Sequence, residues 1–277
     1  MKKISPGELK IFIPYVHSLT GIVLDQSKAY LIESRLGPLL DTLACDSYSQ
    51  LYTKARNDLS KRVEKSIIDA ITTNETYFFR DKTPFDLLKF KIIPDHIDKM
   101  HAAPIYRPSL SILSAACSTG QEVYSIAMVL KDIIPDLSRW TITLTGTDIS
   151  DAAVQQASMG RYSKVEVERG MVPSQIQKYF NQEGNQWKIK DELRVMAQFR
   201  KGNLLKPLMG LPKYDIILAR NVAIYFGVES RKIMYAQLAN QLKPGGALMI
   251  GASESLMGLT DRFQQMNYMS STFYALK

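Results

Sequence analysis

Residues 1 to about 70 repeat apolar positions every three or four residues, which is the spacing of one face of an α-helix. The first helix is predicted to begin at the capping box Ser5-Pro6-Gly7-Glu8 and to end at Gly21. Further helices are expected at about 27–43, from Ser47 and from Ser60. Short connections between such helices favour a small antiparallel bundle, so residues 1–72 are predicted to form an N-terminal all-helical domain.

From Ser109 the pattern changes to short apolar runs that alternate with helical segments. Strands are predicted at residues 109–116, 140–147, 214–219, 246–251 and 272–276. This alternation indicates an α/β domain at residues 109–277 with a doubly wound, mainly parallel, Rossmann-like sheet, joined to the helical domain by a connector at 73–108. The segments 263–266 and 272–276 are too close for a crossover helix, so they should pair antiparallel at the sheet edge.

Residues of about 161–203 interrupt this alternation. A short helix near 175–180 is followed by two runs, 187–190 and 195–199, that have the pattern of a hairpin. We therefore expect a small β-subdomain inserted into the sheet domain at this place.

The segment Leu113–Glu122 combines a buried strand, a turn of small residues and the start of a helix. Such a turn lets a ligand approach the backbone, and the helix N-terminus offers N–H groups. Asp148 ends the next predicted strand, where a carboxylate can accept hydrogen bonds from ribose hydroxyls. The pattern favours a nucleoside-type cofactor. The alternative is an ordinary strand–helix turn with a helix-capping Asp148, because the turn has one glycine and not three.

Composition describes an ordinary globular chain with a basic balance. The 277 residues are 45% hydrophobic and 22% charged, with a formal net charge of +8. Such a charge favours an acidic partner, which can be nucleic acid, an anionic membrane surface or an acidic protein. No apolar run approaches the roughly 20 residues of a membrane span, so direct membrane insertion is not expected.

Cysteine and histidine usage bounds the chemistry further. Cys45 and Cys117 are far apart in the predicted fold, which favours reduced thiols and a cytoplasmic protein. The start Met1–Pro6 is basic but is not followed by an apolar segment, so secretion is not expected. The three histidines have no metal-ligand spacing, and no metal is expected.

Two specific strings connect these features. Residues 74–80 contain Asn-x-Thr-x-Phe-Phe-Arg, and residues 220–226 contain Arg-Asn-Val-x-Ile-Tyr-Phe. With these two strings, the chain closely resembles the CheR-type chemotaxis receptor methyltransferases from about residue 5 to its C-terminus. Four further segments share in the resemblance: Ser114–Ile126, Gly146–Asp148, Leu242–Gly246 and Gly251–Ser255. The resemblance implies a class I S-adenosylmethionine-dependent methyltransferase fold. It also implies methyl transfer to glutamates in the cytoplasmic helices of chemoreceptors, with S-adenosylhomocysteine as product.

The resemblance also implies the site residues. Those expected to bind the cofactor are Asn74, Thr76, Arg80, Ala115, Ala116, Gly120, Glu122, Asp148, Asn203, Leu204, Asn221 and Val222. Arg80 and Tyr225 are the candidate catalytic residues. Arg80 can hold the cofactor's carboxylate or orient the acceptor glutamate, and Tyr225 can position the acceptor or the methyl group. The alternatives are a helix-dipole carboxylate for Glu122 and a packed aromatic for Tyr225.

Receptor docking is predicted for the helical domain. Its basic run is Lys54, Arg56, Lys61, Arg62 and Lys65, which complements a glutamate-rich receptor helix; a solvated helix face is the alternative. Part of the family docks a receptor tail peptide on the inserted β-subdomain. The loop 181–186 is shorter here than in those members, so no tail tether is expected.

Two other functions compete with this interpretation. A nucleic-acid methyltransferase shares the core fold, and the chain is basic, but residues 221–224 lack the proline pair of the base-amino enzymes and neither cysteine follows a proline. Nucleic acid is therefore not the expected partner. A non-catalytic cofactor-binding scaffold is the other alternative, although it would not need to retain Arg80 and Tyr225.

Overall fold

The computed structural model describes residues 2–102 and 107–277. The N-terminal domain consists of α1 (Pro6–Thr20), α2 (Ala29–Thr42), α3 (Tyr48–Asn57) and α4 (Arg62–Ile71). Its core is built from apolar side chains of all four helices, among them Phe12, Ile32, Leu51 and Ile67.

Capping groups set the helix ends in this domain. The predicted capping box is present at α1, where Glu8 N–H donates to Ser5 Oγ and Ser5 N–H donates to the Glu8 carboxylate. Gly21 ends α1 with a φ of 75°. α4 begins at Arg62 and not at the predicted Ser60; its N-cap is Lys61, and the Asp58 carboxylate accepts the Val63 N–H of the first turn at 2.9 Å.

The connector carries a helix with a π-helical middle turn, formed by α5 (Thr83–Leu87), the π turn Leu88–Ile92 and α6 (Ile93–Ala102). Residues 103–106 of the predicted connector lie outside the described residues. After them, the elements in chain order are β1 (Ser109–Ala115), α7 (Gln121–Ile133), β2 (Thr141–Asp148), α8 (Asp151–Met159), β3 (Arg161–Ser163), α9 (Lys164–Glu168), α10 (Pro173–Tyr179), β4 (Phe180–Glu183), β5 (Gln186–Ile189), α11 (Asp191–Arg194), β6 (Ala197–Lys201), β7 (Tyr214–Ala219), α12 (Val228–Gln241), β8 (Leu242–Ile250), β9 (Phe263–Tyr268) and β10 (Ser271–Leu276).

The main sheet has seven strands in the order β6-β2-β1-β7-β8-β10-β9. β6, β2, β1, β7 and β8 are parallel, and β10 is antiparallel to both β8 and β9. The antiparallel edge pair predicted near the C-terminus is confirmed. Because parallel strands β1, β2 and β7 end at one edge of the sheet, the residues that follow them meet there, as the switch-point rule requires.

The predicted hairpin of residues 187–190 and 195–199 is wrong. β5 pairs antiparallel with β3 and β4 in a separate three-stranded sheet, whereas β6 pairs parallel with β2 in the main sheet. The short helix α11 separates β5 from β6 and redirects the chain between them. Two strand-like runs close in sequence therefore belong to different sheets.

Two further findings concern helix length and the cysteines. Within the described ranges, no helix is both long and apolar enough to cross a bilayer. Cys45 and Cys117 are both buried, free thiols.

Candidate active site

A cleft opens at the carboxyl ends of β1, β2 and β7, between the main sheet, the connector and the end of α1. About 960 Å³ of empty space lies between its lining residues, with the open solvent at its mouth included. Eleven of the thirteen predicted site residues line it: Asn74, Thr76, Arg80, Ala116, Glu122, Asp148, Asn203, Leu204, Asn221, Val222 and Tyr225. The fold thus brings together residues from five separate parts of the sequence.

Asp148 lies at the end of β2 and is 6% exposed. Its Oδ2 accepts the Ser118 N–H at 2.8 Å, and its Oδ1 accepts the Ser150 N–H at 3.0 Å. Burial raises the pKa of this carboxyl, and the backbone hydrogen bonds oppose that rise. Ser150, not Asp148, is the N-cap of α8. Each Asp148 oxygen keeps a lone pair for a ligand hydroxyl.

Glu122 belongs to a buried charged network. Its Oε1 accepts the Ser114 hydroxyl at 2.7 Å, and its Oε2 accepts from Arg220 at 2.8 Å. The Arg220 side chain is 2% exposed and also donates to the Arg80 carbonyl and to Asp81. The network ties α7 and β7 to the connector, and it holds a carboxylate at the cleft with lone pairs left for a cationic group.

Residues of the insert hold the connector segment 74–80 at the cleft. Arg169 of the insert pairs with Glu75, and its guanidinium lies 4.4 Å from the centre of the Tyr77 ring. Gly170 must be glycine, since an added Cβ would lie 2.0 Å from the Phe78 carbonyl oxygen. Within the described residues Arg80 donates one hydrogen bond, to the Glu75 carbonyl, so most of its five N–H groups can meet a ligand.

The helical domain contributes part of the wall. Thr20 and Ile22, at the end of α1, line the cleft beside Leu204. The Asn203 amide donates to the Leu19 carbonyl at 3.3 Å, and its oxygen accepts the Leu205 N–H at 2.9 Å. Asn203 therefore joins the segment after β6 to α1, in addition to lining the cleft.

Tyr225 lies on the loop between β7 and α12, half-buried at the cleft. Its carbonyl accepts the Val23 N–H at 2.9 Å, and Ile22 forms a β-bridge with Phe226. The segment that follows α1 is thus hydrogen-bonded to the loop that carries Tyr225.

Three strained backbone positions lie at this cleft. Ala116, Ser118 and Asn221 have φ values of 59°, 50° and 55°, in the left-handed region that non-glycine residues rarely adopt. All three line the cleft. Such conformations persist where the surrounding structure holds them, and they cluster at functional sites.

Two predicted residues do not line the cleft. Ala115 is buried at the end of β1. Gly120 has a φ of 94°, and an added Cβ would lie 2.9 Å from the Ala157 Cβ, so this glycine serves the packing of α8 against the turn. Their roles in cofactor binding stay predictions.

Eleven further residues line the cleft although the sequence predicted no site role for them: Thr20, Ile22, Thr72, Thr73, Glu75, Cys117, Ser118, Ile149, Gly202, Arg220 and Phe226. Arg220 and Phe226 stand within the Arg-Asn-Val-x-Ile-Tyr-Phe string, which was a usable signal. Thr20 and Ile22 reach the cleft through the packing of the helical domain, and no local pattern marks them.

Two other kinds of chemistry find little support at the cleft. Burial raises the pKa of the Cys117 thiol well above its usual value, and the nearby Asp148 and Glu122 charges add to that rise. A thiol in this state is a poor nucleophile. Among the residues that the structure describes, no group of three or more His, Cys, Asp or Glu side chains could hold a metal ion.

The hydrogen-bond acceptors and apolar side chains of the cleft suit S-adenosylmethionine. Asp148 offers acceptors for ribose hydroxyls, and Glu122 offers a carboxylate for the methionine ammonium. Leu204, Val222 and Phe226 supply an apolar wall for the adenine ring. Sheet order, cleft position and these acceptor groups together indicate a class I S-adenosylmethionine-dependent methyltransferase.

Comparison with known proteins defines the family. Residues 74–272 match "CheR methyltransferase, SAM binding domain", and residues 7–72 match "CheR methyltransferase, all-alpha domain". The chain therefore belongs to the CheR methyltransferase family and is a methyltransferase that binds S-adenosylmethionine. The family, fold class and cofactor predicted from the sequence are confirmed.

Named relatives resemble this chain over nearly their whole length. A "Chemotaxis protein methyltransferase" of Vibrio parahaemolyticus is 37% identical, with 99% of this chain and 98% of the relative covered. "Chemotaxis protein methyltransferase 1" of Vibrio cholerae is 37% identical over the same shares of the two chains. A protein of that same name in Pseudomonas aeruginosa is 34% identical, with 98% of each chain covered.

Proposed function

We propose that this protein transfers the methyl group of S-adenosylmethionine to glutamate side chains in the cytoplasmic helices of chemoreceptors. The product is a glutamate methyl ester that serves sensory adaptation in the cytoplasm. The observation that carries the proposal is the cleft itself, where Arg80 and Tyr225 lie with the predicted cofactor residues. The names of the full-length relatives support the chemotaxis role.

Methyl transfer to a carboxylate needs little acid–base catalysis from the protein. A glutamate with an ordinary pKa of about 4.3 is ionised at neutral pH and is already a nucleophile. When bound, S-adenosylmethionine supplies an electrophilic methyl group on a sulfonium sulfur. The protein's task is then to align the acceptor oxygen with that methyl group and to exclude water.

The cleft residues divide this task. Asp148 and Glu122 would hold the two polar ends of the cofactor, while Leu204 and Val222 would contact its ring. The Arg80 guanidinium is directed by one hydrogen bond, which it donates to the Glu75 carbonyl. Its other N–H groups would orient a carboxylate of the cofactor or of the acceptor. Tyr225 would position the acceptor at the mouth.

Receptor docking is assigned to the basic run on α3 and α4. Lys54, Arg56, Lys61, Arg62 and Lys65 are all exposed. Lys65 pairs with Asp151 of α8 and Lys61 with Glu64, so Lys54, Arg56 and Arg62 are the better candidates for contact with an acidic helix. No receptor tail is needed in this proposal, since the β4–β5 turn is short.

Incubation with labelled S-adenosylmethionine and receptor-rich membranes tests the function. We expect label on a membrane protein that is released by mild base, as a carboxyl methyl ester requires. The Asp148→Ala variant serves as the inactive control. Base-stable label, or label on added RNA or DNA with a strong salt dependence, would contradict the proposal and favour the nucleic-acid alternative.

A further inference from the structure

The loop that follows β7 has backbone groups that neither the sheet nor α12 satisfies. Asn221 and Val222 line the cleft, and Tyr225 follows them on a short 3₁₀ turn. Asn221 has a φ of 55°, a conformation that costs free energy in a residue with a side chain. Something outside the loop must hold this shape.

The Glu254 carboxylate accepts the N–H groups of three consecutive residues of this loop. Its Oε2 accepts the Asn221 N–H at 3.0 Å, and its Oε1 accepts those of Val222 at 2.9 Å and Ala223 at 2.7 Å. Oε2 also accepts the Gly251 N–H at 2.7 Å, so both oxygens carry two bonds. These four bonds fill the four acceptor sites of an ionised carboxylate.

Gly251 makes the close approach possible. An added Cβ there would lie 2.7 Å from Glu254 Oε2 and 3.0 Å from the Asn221 nitrogen. The second of these atoms is backbone, so the loop would have to move. Glycine at 251 and glutamate at 254 therefore act together on residues 221–223.

We propose that Glu254 is a positioning residue for methyl transfer. Its ionised carboxylate holds residues 221–223 in the strained shape that places Asn221 and Val222 against the cofactor and Tyr225 at the acceptor. Glu254 does not line the cleft among the described residues, so it acts through the loop and not by contact with the reactants. The turnover part of this inference rests on the proposed function, whereas the cofactor-binding part does not.

The Glu254→Gln variant is the sharpest test because it preserves shape. The amide replaces one acceptor oxygen by a donor, which faces two backbone N–H groups. We expect kcat to fall about tenfold or more and the Kd for S-adenosylhomocysteine to rise, with the KM for receptor unchanged. Glu229→Gln is the matched control, since Glu229 is exposed on α12 and, among the residues that the structure describes, pairs only with Lys232.

A second variant keeps the proposal testable if the first fails to fold. Gly251→Ala should lower kcat and cofactor affinity in the same way while the carboxylate remains. Gly7→Ala is its control, because the nearest atom to an added Cβ there is 4.0 Å away. The double variant should lose no more than the worse single one, since both changes act on one loop.

The outcomes separate positioning from plain stabilisation. A lowered melting temperature with kcat and cofactor affinity unchanged per folded molecule would overturn the proposal. If the wild-type protein fails to methylate receptor glutamates, the proposed function fails, but the S-adenosylhomocysteine affinities of the two variants still decide whether Glu254 positions the loop.

Discussion

At the scale of single residues, the chemistry of this protein depends on charges that the fold buries and then pairs. Asp148, Glu122 and Arg220 are largely excluded from water, yet each has named hydrogen-bond partners. A buried charge without such partners is strongly destabilising. The partners therefore orient these groups before any ligand arrives.

Asp148 is the residue whose loss should affect cofactor binding most directly. Asp148→Ala removes the acceptor of two ribose hydroxyls, and bonds to a charged acceptor typically contribute about 1.5–3 kcal/mol each. We expect calorimetry to show at least about 100-fold weaker binding of S-adenosylhomocysteine. Asp136→Ala is the control, since Asp136 also accepts a backbone N–H but lies away from the cleft. Unchanged affinity in Asp148→Ala would remove Asp148 from the site.

The Asp148 carboxyl also makes the stability of the fold depend on pH. Burial raises the pKa of Asp148 above its value in the unfolded chain, so the unfolded state binds fewer protons and this group stabilises the fold more as pH falls. At neutral pH the buried charge opposes folding. Asp148→Ala removes that cost but leaves two N–H groups unpaired, and we expect the two effects to leave the protein folded by circular dichroism.

Arg80 should matter more for turnover than for folding. Within the described residues its side chain makes one hydrogen bond, and its guanidinium carbon lies 5.9 Å from the centre of the Tyr77 ring, so little of the fold depends on this side chain. Arg80→Ala should lower methyl transfer by about 100-fold, as the loss of a positioning contact can, with an unchanged melting temperature. Arg80→Lys should recover only part of the rate, because an ammonium lacks the planar fork. Near-normal turnover in Arg80→Ala would refute this role.

The sequence revealed these residues unevenly. Asp148 and Glu122 could be found because they follow a strand and a glycine turn, which are local signals. Arg220 stood in a recognised string, but its pairing with Glu122 depends on two strands being neighbours in the sheet. Glu254 meets Asn221 across 33 residues, a contact that no local pattern encodes.

At the scale of elements, periodicity predicted most helices and parallel strands, and its failures have a common cause. Residues 195–199 have a strand pattern, and β6 does occupy Ala197–Lys201. Its partner is β2, about 50 residues earlier, and not the neighbouring β5. Pattern identifies a strand, whereas pairing is set by packing over the whole domain.

The helices α3 and α4 are predicted to contact the receptor through charge. Reversing Lys54, Arg56 and Arg62 to glutamate should raise the KM for receptor and weaken its salt dependence, because complementary charge acts mainly on encounter and is screened by salt. S-adenosylhomocysteine affinity should be unchanged, since none of the three lines the cleft.

A matched variant separates local docking from net charge. Reversing Lys164, Lys213 and Lys232, which are exposed elsewhere on the protein, lowers the net charge by the same amount. This control should keep a normal KM. Equal KM values for the two triple variants at low and high salt would show that α3 and α4 do not dock the receptor and that their charges are a solvated face.

At the scale of the whole molecule, the two domains build one site. Thr20 and Ile22 of the helical domain line the cleft, and the Val23 N–H donates to the Tyr225 carbonyl. A receptor docked on α3 and α4, as proposed, would therefore be bound to the same helical domain whose α1 end contacts the loop of Tyr225. This arrangement predicts that the end of α1 affects cofactor binding, although it belongs to the all-helical part.

Gly21→Ala tests this coupling, with Gly184→Ala as its control. Both glycines have a positive φ, 75° and 61°, so both substitutions carry the backbone cost of about 1–2 kcal/mol. Only at Gly21 would the new Cβ also overlap a neighbour, at 2.2 Å from Leu205 Cδ1, whereas nothing lies within 4 Å at Gly184.

We expect Gly21→Ala to displace Thr20 and Ile22 and to weaken S-adenosylhomocysteine binding about tenfold. The ligand should then raise the melting temperature less than it does in Gly184→Ala, because stabilisation by a ligand follows its affinity. Equal ligand-induced shifts in the two variants would show that the helical domain only covers the cleft and does not shape it.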